Sequence, residues 1–369
     1  MKLENLLNYT QPTKYIVSDE FYDDSYKTPV LTAGKTFILG YTNDEDGIYK
    51  ASKSPIILFD DFTTDTKWVD FDFKVKSSAC KILTLKNANS VEDLKYIYYA
   101  MMNIRFDASQ HMRYWISKYS QCEIAYPEKS KRFYIVRALD SISQIILRER
   151  QHLKLLDELI KSRFIEMFGD PDLSAQKNEW SLVTSFSKII TGTTPSTNDP
   201  DNWNGNVLWV TPAEIKKDDF FMYDTERKIT EKGKASKSLS LMPVGTVILS
   251  TRAPIGKVAI AGKEMTCNQG FKNFICNKNV NPVYLYFLLK FNSEYLNSIG
   301  SGTTFKEISK SKIESLKMPI PPIELQNEFA AFVELIDKLK FSLLMPPKIA
   351  IVSIIFRLIV KAFACFSDF

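Results

Sequence analysis

The sequence predicts a mixed α/β (α+β) chain: two similar modules in a pseudo-two-fold arrangement, separated by long helices. Three observations predict it. An uninterrupted amphipathic stretch occupies residues 140–169, at the centre of the chain. Short apolar runs of strand type lie on both sides of it, among turn residues. The same order of features then occurs twice, at an offset of roughly 190 to 200 residues: strands, a Tyr-rich helix, an Ile-Ser-Lys patch, a proline and a long amphipathic helix.

At 369 residues the chain has room for two domains, each with its own core. A hydrophobic content of 45% and a charged content of 25% fit a globular protein. The net charge of +5 permits a nucleic-acid partner without demanding one, since local clustering matters more than the sum. Five scattered cysteines with no C-x-x-C pair argue against a disulfide framework and a zinc site, and His111 and His152 do not supply the missing ligands. The opening MKLENLLNYTQ has no apolar run of signal-peptide length, so the expected compartment is the cytoplasm.

The first module covers residues 1–139. Residues 37–39, 56–59 and 81–85 read as strands, with turn signals at 33–34, 43–47 and 77–78. Residues 91–103 read as a helix capped by Ser90. The central helix, 140–169, contains no proline and sets Ile142, Ile146, Leu153, Leu156, Ile160, Phe164 and Met167 near a 3.5-residue period, with a gap at Glu149. It makes a rod of roughly 45 Å, too long to be buried in one small domain, so it calls for a partner helix. Gly169-Asp170-Pro171 ends it. The second module covers 172–322, with strands at 207–210, 246–250, 258–260 and 274–275 and a helix at 282–290 that opens on Pro282. A second long helix is expected over 323–345, cut short by Pro346-Pro347, with an atypical apolar tail over 346–369. In the repeat, Ile116-Ser117-Lys118 corresponds to Ile308-Ser309-Lys310, Pro127 to Pro319 or Pro321, and Leu139-Asp140 to Ile336-Asp337.

Two stretches imitate catalytic motifs. Asn281-Pro282-Val283-Tyr284 resembles the Asn-Pro-Pro-Tyr of amino-methyltransferases, but a helix cap followed by a first-turn proline explains it. Asp201 with Glu214 and Lys216 fits the loose spacing of metal-dependent PD-(D/E)xK nucleases, yet Pro212 ends the strand that would have to aim Glu214 and Lys216 at one metal ion. The remaining polar segments are loops between strands. Arg, Lys, Asn, Gln, Ser and Thr on such loops are the side chains that reach phosphates and base edges. In the first module these are Lys35, Thr36, Thr63, Thr64 and Lys67. In the second they are Thr193, Thr194, Ser196, Ser250, Arg252, Lys257, Asn268, Gln269 and Lys306. Composition alone favours ordinary surface turns for them, while basic clusters at 227–237 and 306–317 add a phosphate-facing character.

Several segments together carry a resemblance. TGTTPSTNDPDNW-(x5)-WVTPAEIK (191–216), GTVILSTRAPIGKVAI (245–260), CNQGF (267–271) and MPIPPIELQNEF (318–329) lie in the second half. PVLTAGKTFILGYT (29–42) and PIILFDDFTT-(x5)-DFDFKVKSSACKIL (55–83) lie in the first, with SRFIEMFGDP (162–171) closing the central helix. In this order, on a duplicated frame, they resemble the specificity (S) subunit of type I restriction-modification systems, up to about Lys340. The resemblance implies a non-catalytic reader of double-stranded DNA, with two target-recognition domains that each bind half of a split sequence. Its long helices would pair as an antiparallel coiled coil, set the gap between half-sites and dock two methyltransferase subunits. The docking residues would be Ile142, Ile146, Leu153, Leu156, Ile160 and Phe164. A 45 Å rod spans roughly 13 base pairs, enough for heads in major grooves a turn apart. S-adenosylmethionine, ATP and Mg would belong to the methyltransferase and restriction/motor subunits, with no cofactor, metal or membrane for this chain.

The tail departs from the family. KIAIVSIIFRLIVKAFACFSDF (348–369) lacks charged heptads and reads as a shifted or recombined end, with an atypical terminal helix as the alternative, rather than a membrane anchor, since Arg357 and Lys361 interrupt it. Two other classes compete with the DNA reader: a nuclease holding metal at Asp201, Glu214 and Lys216, and a two-headed interaction adaptor with no DNA role.

Overall fold

Ile56–Asp60 is buried along its whole length, as a continuous apolar run requires of a central strand. In the computed structural model, which describes residues 1–32, 36–86, 90–110, 112–177, 179–216, 219–252, 254–302 and 306–344, this strand lies inside a four-stranded antiparallel sheet. The order is Leu7–Thr10, Cys80–Leu85, Ile56–Asp60, Thr66–Val69. A smaller sheet runs Ile38–Thr42, Thr28–Leu31, Lys74–Val75. Helix Val91–Met101 packs Leu94, Ile97 and Met101 into the core beneath, and the Ser90 hydroxyl accepts the Asp93 N–H at 3.3 Å, as a helix cap should. The chain divides into two compact units, with the boundary between His152 and Leu153 inside the long helix.

The second unit repeats this plan. Its larger sheet runs Phe221–Met222, Ile255–Ala261, Val247–Thr251, Phe271–Cys276, Ser187–Ile190, and its smaller one Lys228–Ile229, Trp203–Val210, Thr266–Cys267. Helix Pro282–Phe291 is capped by Asn281, which accepts the Val283 N–H at 2.9 Å. Hydrogen bonds fix the register of the repeat. Asp61 donates its N–H to the Ala79 carbonyl and accepts from the Tyr114 N–H; Thr251 does the same with Gly270 and Ile308. One turn into each long helix, a buried side chain donates back to a proline carbonyl: Arg132 to Pro127, and Gln326 to Pro321 at 2.7 Å.

These bonds correct the expected correspondences. Tyr114, not Ile116, is the partner of Ile308: Tyr114 and Ile308 are each 1% exposed, whereas Ile116 is 58% exposed. Pro321 rather than Pro319 matches Pro127. With Arg132 matched to Gln326, Leu139 falls opposite Val333 instead of Ile336, and both are buried.

The long helix runs Lys129–Phe168, 40 residues and roughly 60 Å, so it starts eleven residues before the expected Asp140. No helix breaker separates the two segments, and Ile135, Val136 and Leu139 fall at helical spacing in the first unit's core. Residues 129–139 thus belong to the helix, and the 1–139 boundary is not a break in structure. In the second unit its C-terminal part lies against helix Ile323–Leu344. Arg163 pairs with Glu328 at 2.8 Å and Lys340 with Asp157, so as one chain descends the other ascends and the helices are antiparallel. The expected break at Pro346-Pro347 and the tail lie outside the described residues. No helix among the described residues is long and apolar enough to cross a membrane.

One ion pair in the first unit gives a pH signature. The nearly buried Lys74 ammonium lies 2.7 Å from Asp44, and this hydrogen bond holds the Asp44 carboxyl down at about 2. A carboxyl lowered in the folded state stabilises it fully above its unfolded value of about 3.9, and that contribution is lost as pH falls through the folded value. The stability advantage of the wild type over Lys74→Met should therefore be constant above about pH 5 and shrink toward pH 2, leaving the part that comes from the bond to the Asp46 carbonyl. Urea titrations followed by circular dichroism at several pH values would measure it; an advantage that does not fall between pH 5 and pH 2 contradicts the assignment.

Candidate nucleic-acid interface

In the second unit's smaller sheet, Trp203–Val210 runs parallel to Thr266–Cys267. Parallel neighbours end at the same edge, so the loops that follow them lie side by side. The Asn268 N–H bonds the Val210 carbonyl at 3.1 Å, and the Thr251 N–H bonds the Gly270 carbonyl at 2.8 Å, which brings in the end of the larger sheet. Together they form an open cleft of about 330 Å³, lined by Thr211 to Ala213, Arg252 and Asn268 to Gly270.

Each wall is braced. The Asn268 side-chain oxygen accepts the Gly270 N–H at 2.8 Å, and the Lys257 ammonium donates to the Pro212 carbonyl at 2.8 Å. Glu214 accepts the N–H groups of Thr211 and Glu226 at 2.9 and 3.1 Å. Thr194 donates its hydroxyl to Gln269 Oε1 at 2.8 Å, joining the 191–199 loop to the cleft. That loop is held from behind by two indoles: Trp209 Nε1 donates to the Thr193 carbonyl and Trp203 Nε1 to the Ser196 carbonyl, both at 3.1 Å. The Arg227 guanidinium covers both rings, 3.9 Å from Trp203 and 5.1 Å from Trp209. Gly192 is required here, since a Cβ at that position would come within 1.8 Å of the Cys267 carbonyl oxygen.

Of the residues expected at this face, Arg252, Asn268 and Gln269 line the cleft, and Thr193, Thr194, Ser196 and Lys257 brace it. Lys306 is exposed next to Glu307, whose bridge to Arg252 brings it to the same edge. Ser250 is a correction. It is fully buried, donating to the Pro254 carbonyl at 2.7 Å and accepting the Lys257 N–H at 2.9 Å, so it shapes the turn and touches nothing outside.

In the first unit, the turn after Ile56–Asp60 is closed by the Asp60 carboxylate, which accepts the N–H groups of Phe62 and Thr63 at 2.8 and 3.2 Å. Thr63 is exposed, while Thr64 (φ 63°) and Lys67 are half-buried. Thr36 is exposed, and Lys35 lies outside the described residues. The register of the repeat adds three positions not expected at the interface, two of which, Ser77 and Ser78, read only as a turn. The Lys76 N–H bonds the Leu31 carbonyl at 2.9 Å as Asn268 bonds Val210, and the Ser77 hydroxyl accepts the Ala79 N–H at 3.3 Å as Asn268 accepts Gly270. Lys76, Ser77 and Ser78 are thus the first unit's counterparts of the 268–269 loop. The signal was the 191-residue offset between Ser77 and Asn268.

The catalytic imitations dissolve into structure. Both Glu214 oxygens are engaged by backbone N–H groups, and Asp201 pairs with Lys232 at 2.9 Å. Tyr284 is fully buried and donates to the Pro319 carbonyl at 2.8 Å. Among the described residues no His, Cys, Asp and Glu group of three or more gathers as a metal site. The expected docking face changes as well. Ile142, Ile146, Leu153 and Leu156 are half-buried, but Ile160 and Phe164 are sealed in the second unit's own core and are unavailable to a partner. Exposed apolar side chains on these helices include Leu155, Leu159 and Ile165 on the long one, and Leu335, Leu339 and Phe341 on the terminal one.

Residues 177–346 match a family model described as the type I restriction modification DNA specificity domain. The chain is 37% identical over 362 residues to the type I restriction enzyme EcoR124I/EcoR124II specificity subunit of Escherichia coli, covering 92% of this chain and 85% of that one. It is 36% identical over 186 residues, 49% of this chain and 43% of the other, to the type I restriction enzyme MjaIX specificity subunit of Methanocaldococcus jannaschii. The fold is similar to the crystal structure of the type I restriction-modification system S subunit from M. genitalium, with a TM-score of 0.58, 14% identity and coverage of 99% and 95% of the two chains.

Proposed function

The chain belongs to the family of type I restriction-enzyme specificity subunits, non-catalytic readers of DNA sequence, and on that premise we propose that its two α/β units each read one half of a split double-stranded target in the cytoplasm. The observation that carries this is the doubled frame: in each unit the same backbone bonds set a polar loop, 76–79 or 268–270, beside the turn that follows the central strand. A side chain held by its neighbours at a strand end keeps a fixed position against base edges, while lysines nearby meet phosphates. Two methyltransferase subunits, carrying S-adenosylmethionine, and restriction/motor subunits, using ATP and Mg, would supply the chemistry.

The test is the adenine methylation pattern of a genome that carries this gene with its methyltransferase partner. A bipartite motif is expected. Substitutions in the 76–78 loop should alter one half only, and those at 268–269 the other. A continuous motif, or methylation indifferent to both loops, would defeat the reading. Binding should also weaken steeply with salt, since phosphate contacts release counterions.

For partner docking we assign the exposed pairs Leu155/Leu159 and Leu335/Leu339, each one turn apart on its helix. Leu155→Glu with Leu159→Glu should weaken capture of the methyltransferase subunit at least tenfold, as read by calorimetry, without lowering the melting temperature, because these side chains are exposed. Unchanged capture by both double variants would remove the assignment.

A further inference from the structure

The Arg227 guanidinium is held on its face and open at its edge. It lies over the Trp203 ring at 3.9 Å and over the Trp209 ring at 5.1 Å, so a planar cation keeps one orientation before any ligand arrives. Its backbone is fixed too: the Arg227 carbonyl accepts the Trp209 N–H at 3.3 Å and the Thr225 hydroxyl at 2.7 Å. Yet the residue is exposed, and among the described residues its side chain makes no hydrogen bond or ion pair, not even with the adjacent exposed Glu226. Other acids of these segments are engaged elsewhere: Asp224 with Lys228 at 2.9 Å, and Asp199 and Asp201 with Lys232 at 3.2 and 2.9 Å. A fixed fork of N–H donors, placed in solvent beside the cleft, suits an anion with paired oxygens.

Two further observations bear on which anion, given the reading of this unit as a DNA head. Arg227 sits at the end of the sheet where the cleft opens, since the Glu226 N–H before it bonds Glu214, which also holds Thr211. Its side chain does not line the cleft but lies back along the two indoles, on the cleft's flank. The part of a duplex that reaches such a flank is its backbone, whereas base edges need a side chain that projects into a groove. The same indoles donate to the Thr193 and Ser196 carbonyls, so the cation and the 191–199 loop share one rigid support. The first unit has no such device: its corresponding strand, Thr28–Leu31, carries no aromatic side chain. We propose that Arg227 clamps a backbone phosphate of the second unit's half-site and thereby fixes the register at which the 191–199 loop meets the bases.

The experiment measures binding of the full chain with its methyltransferase partner to a duplex carrying the motif that the wild type methylates, between roughly 50 and 200 mM salt. Arg227→Met keeps an apolar cover on the indoles and removes the charge, Arg227→Gln removes it with a polar side chain, and Arg227→Lys keeps it. Without the charge, binding should weaken roughly tenfold and the slope of log affinity against log salt should fall by about one, with the methylated motif unchanged. Arg227→Lys should hold the wild-type slope. A methylphosphonate at one backbone position of the half-motif that answers to the 268–269 loop should weaken the wild type and leave Arg227→Met unaffected. The proposal is overturned if the slope falls in all three variants or in none, if base preference changes instead, or if no neutralised position distinguishes the wild type from Arg227→Met. A merely structural cover would lower the melting temperature and leave the slope as it is. A wild type that binds no duplex and directs no bipartite methylation overturns the functional reading beneath, and the proposal with it.

Discussion

Lys81→Met should destabilise the first unit by about 3–5 kcal/mol, one of the largest single-residue effects in the chain. The Lys81 ammonium lies 2.9 Å from Asp61, and both side chains are fully shielded from solvent. Asp61 also accepts the Trp115 N–H at 2.8 Å through Oδ1, and Lys81 donates to Gln11 at 3.1 Å, while Asp61 Oδ2 has only the ion pair with Lys81 to offset its burial. Removing the cation leaves a carboxylate buried beside an apolar neighbour, and its desolvation is no longer offset. Adding Asp61→Asn keeps an acceptor for Trp115 while discarding the charge, so the double variant should recover much of the loss. The second unit provides the control. Lys272 occupies the matching strand position, but its partner Glu307, 3.2 Å away, is 40% exposed, and the residue matching Asp61 is Thr251. There the carboxylate left behind can hydrate, so Lys272→Met should cost only about 1–2 kcal/mol. Urea unfolding midpoints decide it. Equal costs at the two positions would mean that burial does not set the magnitude.

The contrast between Lys81 and Lys272 also shows what the sequence could reveal. Strands 56–59 and 81–85, both capped helices and the terminal helix were legible because continuous apolar runs and Ser90 or Asn281 before a periodic segment are local signals. The strands Leu7–Thr10, Thr28–Leu31 and Thr66–Val69 were not, since each has only four residues and a mixed pattern; the first and last are sheet edges, and Thr28–Leu31 opens on Thr-Pro although it is the middle strand of the smaller sheet, so packing rather than propensity decides. The start of the long helix at Lys129 was hidden because 129–134 is charged and aromatic, and its apolar residues face a core that exists only once the fold has formed. The candidate interface was half legible. Arg252, Asn268 and Gln269 stood out by residue type, whereas Ser250 looked equally suitable and is buried. Lys76 and Ser77 looked like ordinary turn residues until backbone bonds to Leu31 and Ala79 gave the repeat its register.

Phe164→Ala should cost the second unit about 3–5 kcal/mol. The ring is 1% exposed and enclosed by aromatics: it stacks on Tyr284 at 5.5 Å and meets Phe168, Phe291 and Phe329 edge-on at 5.0 to 5.3 Å. Truncation removes the transfer energy of a large side chain and leaves a cavity among rings that cannot all move inward, since Tyr284 is also tied to the Pro319 carbonyl. Two forces could hold the long helix here, and the variant separates them. If the ion pairs to Glu328 and Asp157 dominated, Phe164→Ala would be mild and high salt would loosen the helix pair, because exposed ion pairs contribute about 0–1 kcal/mol and are screened. If the aromatic cluster dominates, Arg163→Ala and Lys340→Ala should each stay within about 1 kcal/mol of the wild type, and Phe164→Ala alone should lower the unfolding midpoint sharply at any ionic strength. The burial favours the second outcome. The same cluster lies under helix Pro282–Phe291, which packs on the sheet whose strands end at Arg252 and Gly270. Phe164→Ala should therefore degrade readout of the second half-site before the first.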